Sequence, residues 1–432
     1  MSFTKPKNSV VRKIRTAAGI LGPGFITGAA DDDDSGIGTY SIAGAQFGYR
    51  LSWLTLFCLP MMIAVQETCA RIGIVTGRGL AGVIRDHYPR QVLFLVVLLL
   101  LVANIVNIGA DLGAMSAVIT MVVGLQWWIW LIAVTALTVI LEIVVPYRKY
   151  EGFLRIFGFF LLAYVLTAVI VSPNAKQVVE STLFPHLELT LPFLAAAVGF
   201  LGTTISPYLF FWQASEEIED EITQGEIRGF GMGGPKYLGP TIKKMRIDTI
   251  IGMIFSQVIT LAIIITTAQT LNRAGITNIG TAQEAALALK PLAGQYAYLL
   301  FAVGIVGIGF QAVPVLAGSL AYAVAEVFKR PEGLGKPFRK ARFFYLVIIT
   351  SSVLGALMNV IGLNPIQALF YSAIVNGIIA VPLILSIILI SLNREIMKGE
   401  TSGPLSVLAT GFTALVMGLA SLGMIYTALT PP

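Results

Sequence analysis

The sequence predicts an all-α integral membrane protein, and three observations predict it. Of its 432 residues, 56% are hydrophobic and only 12% are charged, about half the charged fraction of a soluble domain. Apolar runs of roughly 18 residues or more, enough for a helix to cross a hydrocarbon core of about 30 Å, recur along nearly the whole chain. The basic residues alternate between loops as the positive-inside rule requires.

Eleven spans follow, at 17–41, 44–70, 91–121, 125–145, 152–172, 190–214, 247–270, 293–327, 343–362, 366–392 and 404–429. With residues 1–16 as a cytoplasmic tail, all but four of the 29 Lys and Arg residues fall in cytoplasmic segments; Arg50, Lys176, Arg273 and Lys290 stay outside. Adding or deleting a span scrambles that asymmetry, so the expected orientation is amino terminus in, carboxyl terminus out, in a plasma (inner) membrane. Topology thus accounts for the net charge of +6, which implies membrane lipid as a partner and no nucleic acid. No removable signal peptide and no obligate protein partner are read from the chain.

Other features bound the function. The longest connection, Ser215 to Arg246, opens on the acidic run EEIEDE and reads as a cytoplasmic loop with a solvated face. Cys58 and Cys69 both fall in the second span and read as small apolar packing residues, not a disulfide. His87 and His186 fall in loops. There is no phosphate-binding glycine loop followed by lysine, no HExxH and no cysteine pairing, so neither an enzyme, an ATP-driven pump nor a bound cofactor is expected.

What carries information is the short list of polar groups at membrane depth. GAADDDDSGIGTY (Gly28–Tyr40) sets four aspartates, Asp31 to Asp34, in the first span. Like charges repel, and aspartate and glycine are poor helix formers, so the span is expected to unwind there. In the sixth span, Pro207 in TTISPY removes a backbone donor and conflicts with the carbonyl of Thr203. Pro207 alone is also compatible with a simple kink, and some of the aspartates with capping the second half of the first span. Two interrupted helices expose carbonyls at mid-membrane, and an acidic cluster beside them suits a cation, with one or two of the four aspartates as ligands.

GPGFITGAADDDDSGIGTYSIAGAQFGY (Gly22–Tyr49) resembles the first-span signature of the Nramp family of divalent metal transporters: GPGF, then DPGN, then GAQFGY. In that register DPGN falls on Asp33, Asp34, Ser35 and Gly36. GTTISPY (Gly202–Tyr208) resembles the sixth-span GATVMPH, and further likenesses lie at ADLGAM (Ala110–Met115), Glu151, RIDT (Arg246–Thr249) and the end of the tenth span. The resemblance implies the leucine-transporter fold: two inverted five-helix repeats at 17–172 and 190–392, broken helices 1 and 6, and an eleventh helix at 404–429.

It also implies a site. Family members hold the ion with the aspartate, the asparagine, the methionine sulfur and a sixth-span carbonyl, and the matching positions here are Asp33, Gly36, Ser206 and the carbonyl of Thr203. Sulfur has gone, and an oxygen-only site suits Mg2+, Ca2+ and Mn2+. Gly36 adds room for an ion that keeps some of its water, which is how Mg2+ usually binds; the Nramp-related magnesium transporters are similar in lacking the methionine. Alternatively, the Ser206 hydroxyl simply bonds back to a helix carbonyl.

The family's proton-relay positions fall on Tyr208, Asp33, Asp111 and Ala114. Tyrosine titrates near pH 10 and alanine not at all, which predicts weak or absent proton coupling. Asp34, Tyr208, Asp111 and Asn376 remain as surrounding or proton-path candidates, although Asp111 also reads as a structural acid. The family's tenth-span glutamine corresponds to Ala373. Asn376, one turn on, either takes its part or makes an interhelical hydrogen bond, and Gln311 is a further polar group at depth.

The expected function is therefore alternating-access transport of Mg2+ and/or Mn2+, the metal being substrate rather than cofactor. The alternatives are a proton-coupled Mn2+/Fe2+ symporter, an amino-acid transporter on the same fold, and a non-transporting sensor signalling through Glu216–Glu221.

Overall fold

In the computed structural model, which describes residues 22–145, 161–362 and 364–430, the first span is two helices rather than one. α1 (Pro23–Asp31) and α2 (Asp34–Phe47) meet at Asp32 and Asp33. The chain continues through α3 (Trp53–Thr76), the short α4 (Leu80–His87), α5 (Arg90–Val123) and α6 (Trp127–Val144). α7 (Leu162–Ile170) belongs to the fifth span; Arg148, Lys149, Glu151 and Arg155, like the tail at 1–16, lie outside the described residues. α8 (Ala175–Leu183) is a polar connector whose first amides are capped by Asn174.

The sixth span is also double: α9 (Leu191–Thr204) and α10 (Pro207–Gln224). α11 (Leu238–Thr267) runs into a wider turn at Ala268–Asn272. It is followed by α12 (Ala297–Val327), α13 (Arg342–Met358), α14 (Pro365–Leu392) and α15 (Pro404–Leu429). Eight helical stretches among the described residues are long and apolar enough to cross a bilayer. The other three expected spans are the broken first, α7, and the 17-residue α13.

Three sequence readings change, the simplest being His87, expected in a loop but found in the last turn of α4. The second span was expected at 44–70, but α2 runs on to Phe47 and α3 occupies Trp53–Thr76. The reversal is made at Gly48, whose φ of +59° favours glycine, so Arg71 lies within a helix instead of a loop. It is buried there and paired with Glu67 at 2.5 Å, and Glu67 also receives Arg246 at 2.9 Å.

The acidic run is helical too. α10 extends through Gln224, and Glu216, Glu217, Glu219 and Glu221 are buried rather than forming a solvated face. Partners explain part of this: Gln213 donates to Glu217 at 2.7 Å and the Tyr322 hydroxyl of α12 donates to Glu219 at 2.9 Å. The connection between α10 and α11 shrinks to residues 225–237.

Packing ties the two halves together by exchange. α1 lies along α11, and α10 lies along α3, so the first helix of each half rests on the second helix of the other. Glycine makes this approach possible. A Cβ on Gly24 would stand 2.6 Å from the amide nitrogen of Thr249, Gly28 faces the backbone of Gly252, and Gly73 faces that of Ala214. Close backbone contact through small residues is how helices associate where lipid is as apolar as the side chains. α1 is also held at its start: the Asp248 carboxylate of α11 accepts the amides of Gly22 and Gly24, both at 2.8 Å. A carboxylate there satisfies orphan donors and complements the helix dipole.

Gly252→Leu should therefore drive α1 and α11 apart, at a cost of about 1–3 kcal/mol from overpacking. The expected result is a melting temperature several degrees lower in detergent, read by intrinsic fluorescence; an unchanged value would mean that the two backbones are not in contact.

Candidate metal site at the paired helix breaks

The first break is organised by one side chain. Asp32 (φ −86°, ψ 52°) ends α1, and Asp33 in extended backbone is the N-cap of α2. The Oδ1 of Asp33 accepts the Gly36 amide at 2.8 Å and the Ser35 hydroxyl at 2.6 Å. This is ordinary N-capping, placed in the middle of a membrane domain. Its Oδ2 accepts the Tyr208 hydroxyl at 3.0 Å, and that same hydroxyl lies 2.8 Å from the carbonyl of Ala30 in the last turn of α1.

The second break is two residues long. α9 ends at Thr204, Ile205 and Ser206 leave helical geometry, and α10 restarts at Pro207. Proline suits that first position, where its missing amide would have had no partner. Pro207 thus opens a new half-helix instead of kinking a continuous one.

The two breaks touch. The Ser35 hydroxyl is 3.1 Å from Thr203 Oγ1, and the Tyr40 hydroxyl is 2.8 Å from Thr204 Oγ1. A Cβ added to Gly36 would lie 3.3 Å from the Tyr40 ring and 3.4 Å from both the Asp31 carbonyl and Thr203 Oγ1. Ser35 and Tyr208 thus link Asp33 and Gly36 of the first break to the second, with Asp33, Thr203 and Ser206 wholly inaccessible to solvent. The Ser206 hydroxyl bonds back to the carbonyls of Gly202 (2.9 Å) and Thr203 (2.7 Å), as the alternative reading of that serine held. Its lone pairs, and the second lone pair of the Thr203 carbonyl, are still available to a ligand.

The four aspartates diverge. Asp31 and Asp32 turn to α11, Asp33 to α10, and Asp34 to α12, where its Oδ2 would be 2.9 Å from a Cβ on Gly309. Among the described residues no three acidic, histidine or cysteine side chains converge as a metal cluster. Asp111 of α5 lies within electrostatic range of Asp33 and Asp34. Asp34, Asp111, Gln311 and Asn376 have no hydrogen-bond partner among the described residues, so the interhelical bond considered for Asn376 is not made there. Asn376 stands on α14 beside Gly377, which packs against Gly202 of α9. His186 is at the surface against Glu188, while Cys58 and Cys69 are buried free thiols in α3.

Sequence reasoning missed Ser35, which links the breaks, and Asp248, which anchors α1. Ser35 falls on the DPGN-like stretch, where the family match gives it no ligand role. Asp248 had a signal, the RIDT motif, but its role as a cap depends on two residues 226 positions apart.

The fold is that of the leucine-transporter group of membrane transporters, with the first helix of each half interrupted. The family model for natural resistance-associated macrophage protein-like (Nramp) chains matches residues 24–427, and the chain belongs to that family. A crystal structure of the Eremococcus coleocola manganese transporter, in complex with an aromatic bis-isothiourea substituted compound, is similar over 100% of this chain and 91% of that one, at 16% identity and a TM-score of 0.74. A nucleobase-cation-symport-1 family transporter in a closed conformation with bromovinylhydantoin bound is similar over 96% of this chain and 93% of its own, at 14% identity and a TM-score of 0.59.

Tyr208 occupies one oxygen of Asp33, so removing its hydroxyl should free that oxygen. Tyr208→Phe is expected to tighten Mn2+ binding several-fold, about 1 kcal/mol for one hydrogen bond that no longer has to be displaced. Isothermal titration in detergent checks this; weaker binding would show that the phenol helps to hold the bound state.

Proposed function

We propose that this chain carries divalent metal cations across a membrane by alternating access, and that Mg2+ and/or Mn2+ are its substrates. One observation supports the reading: the capping carboxylate Asp33 accepts the Tyr208 hydroxyl from the opposite break and shares Ser35 with Thr203, all of these side chains being buried. Asp33 is the anionic anchor. The Thr203 carbonyl and Ser206 hydroxyl supply neutral oxygen; Gly36, expected to leave room for water, instead packs closely on Tyr40 and Thr203, so an ion that keeps water requires the two breaks to part. Carboxylate, hydroxyl and carbonyl are the ligands that hard cations prefer, and Mg2+ gives up water reluctantly.

Broken helices suit such cargo because their ends keep carbonyls that a continuous helix would use up. The half-helices are also natural moving parts, since α1 and α10 each rest on the other half of the molecule. An amino acid fits less well. Its carboxylate would need the free amino-terminal end of α2, and Asp33 already caps that end.

Proton coupling is read as weak or absent, because tyrosine and alanine stand at two relay positions, Tyr208 and Ala114. Asp34 and Asp111 favour the competing symport reading, being buried and without a hydrogen-bond partner among the described residues. The proposed orientation places both breaks between a cytoplasmic amino terminus and an outer carboxyl terminus in a plasma (inner) membrane. Arg50 and Lys176 then share one side with the Arg273 and Lys290 surface.

The test is flux into liposomes holding a divalent-sensitive dye, with internal pH followed in parallel. Mg2+ and Mn2+ should enter without acidification. Asp33→Ala should reduce entry by at least about 100-fold, as expected when about 3 kcal/mol of anchoring is removed. Ser206→Met restores a soft ligand and should tilt preference toward Mn2+ or Cd2+ over Mg2+ by roughly tenfold. Metal entry that ignores Asp33→Ala, or amino-acid uptake without metal flux, contradicts the proposal. Acidification that tracks metal entry favours symport.

A further inference from the structure

A second polar cluster lies on the other side of the first break, built from the two aspartates that precede the DPGN-like stretch. Asp31 and Asp32 turn to α11. Ser256 donates to Asp31 Oδ2 at 2.8 Å, and Thr260, one turn further on, donates to Asp32 Oδ1 at 3.2 Å. Ser256 also lies close to the Asp32 carboxylate, and Thr260 close to the phenol of Tyr40, which bonds to Thr204. All six of these side chains are wholly inaccessible to solvent.

The cluster is incomplete in charge and in hydrogen bonding. Asp31 Oδ1 and Asp32 Oδ2 have no partner among the described residues. No Lys, Arg or His among them pairs with either carboxylate. Both acids also sit at the carboxyl-terminal end of α1, where the last carbonyls add negative potential and a cation is favoured. Two carboxylates in a dry site favour a bound cation, and the groups that hydrogen-bond to them are hydroxyls, with the Cys58 thiol of α3 the sulfur within electrostatic range of Asp31.

We propose that Asp31 and Asp32, supported by Ser256 and Thr260, hold a second divalent cation beside the transported one. A hard divalent ion matches the charge and the ligands; a monovalent ion leaves one carboxylate uncompensated. Because the two sites draw on different carboxylates and different partner helices, α11 for one and α9 and α10 for the other, they are separable by substitution.

The experiment counts Mn2+ bound to the purified full-length chain in detergent, from the loss of the free-ion signal in electron paramagnetic resonance, in choline and in sodium salts. The wild type should bind two ions. Asp33→Asn should remove one, and Asp31→Asn combined with Asp32→Asn should remove the other. Ser256→Ala with Thr260→Ala keeps both carboxylates and should weaken only the second ion, by about tenfold. That pair decides the matter if the double asparagine variant does not fold. A single Asp33-dependent ion in the wild type overturns this proposal and leaves the transport reading standing; no bound ion at all defeats both. Two ions that persist unweakened in the Ser256→Ala, Thr260→Ala variant, or a second Mn2+ that sodium alone displaces, also overturn it.

Discussion

Four carboxylates buried at the first helix break without a basic partner among the described residues are the constraint to which the rest of the molecule answers. Uncompensated charge in a low-dielectric interior is expensive, and proteins offset it with hydrogen bonds, with opposite charge or with bound ions. Here hydrogen bonds do part of that work. Ser35, Gly36 and Tyr208 satisfy Asp33, while Ser256 and Thr260 each satisfy half of Asp31 and Asp32. What is left over is a set of unpartnered carboxylate oxygens among the described residues, which protons or a bound cation would satisfy.

The packing keeps that cluster in place and leaves it able to change. α1 is pinned at its start by Asp248 and slid against α11 on glycine, whereas its end at Asp31 is joined to α2 by only two non-helical residues. The sixth span repeats the plan, with Pro207 restarting the helix after Ile205 and Ser206. Half-helices hinged at a shared site, each resting on the opposite half of the molecule, can tilt without breaking the hydrogen bonds of a continuous helix. In the proposed transport, function comes from the same backbone interruption that creates the ligands.

Much of this was legible in the amino-acid order. Hydropathy and charge alternation sufficed for an all-helical membrane protein, and the chemistry of DDDDSGIG and TTISPY located both breaks, since repulsion, glycine and proline act locally. The second span was misplaced because hydropathy runs on through Ala45 and Phe47 and does not register Gly48, the C-cap at which the helix turns back. The Glu216–Glu221 run was misread because its burial depends on distant packing, as at Glu219, whose partner Tyr322 is about a hundred positions away. The divergence of Asp31 to Asp34 onto three different helices was equally hidden. Adjacent side chains at a helix break point in directions that only the neighbouring helices define.

The central claim is that a divalent ion sits between the breaks with Asp33 as its anchor. Anomalous diffraction from crystals soaked in Mn2+ tests it directly. The account predicts a peak roughly 2.0–2.6 Å from an Asp33 carboxylate oxygen and from the Thr203 carbonyl, the range for hard cations on oxygen ligands. A peak remote from both, with the Asp33 carboxylate still held by Ser35, Gly36 and Tyr208, would contradict it.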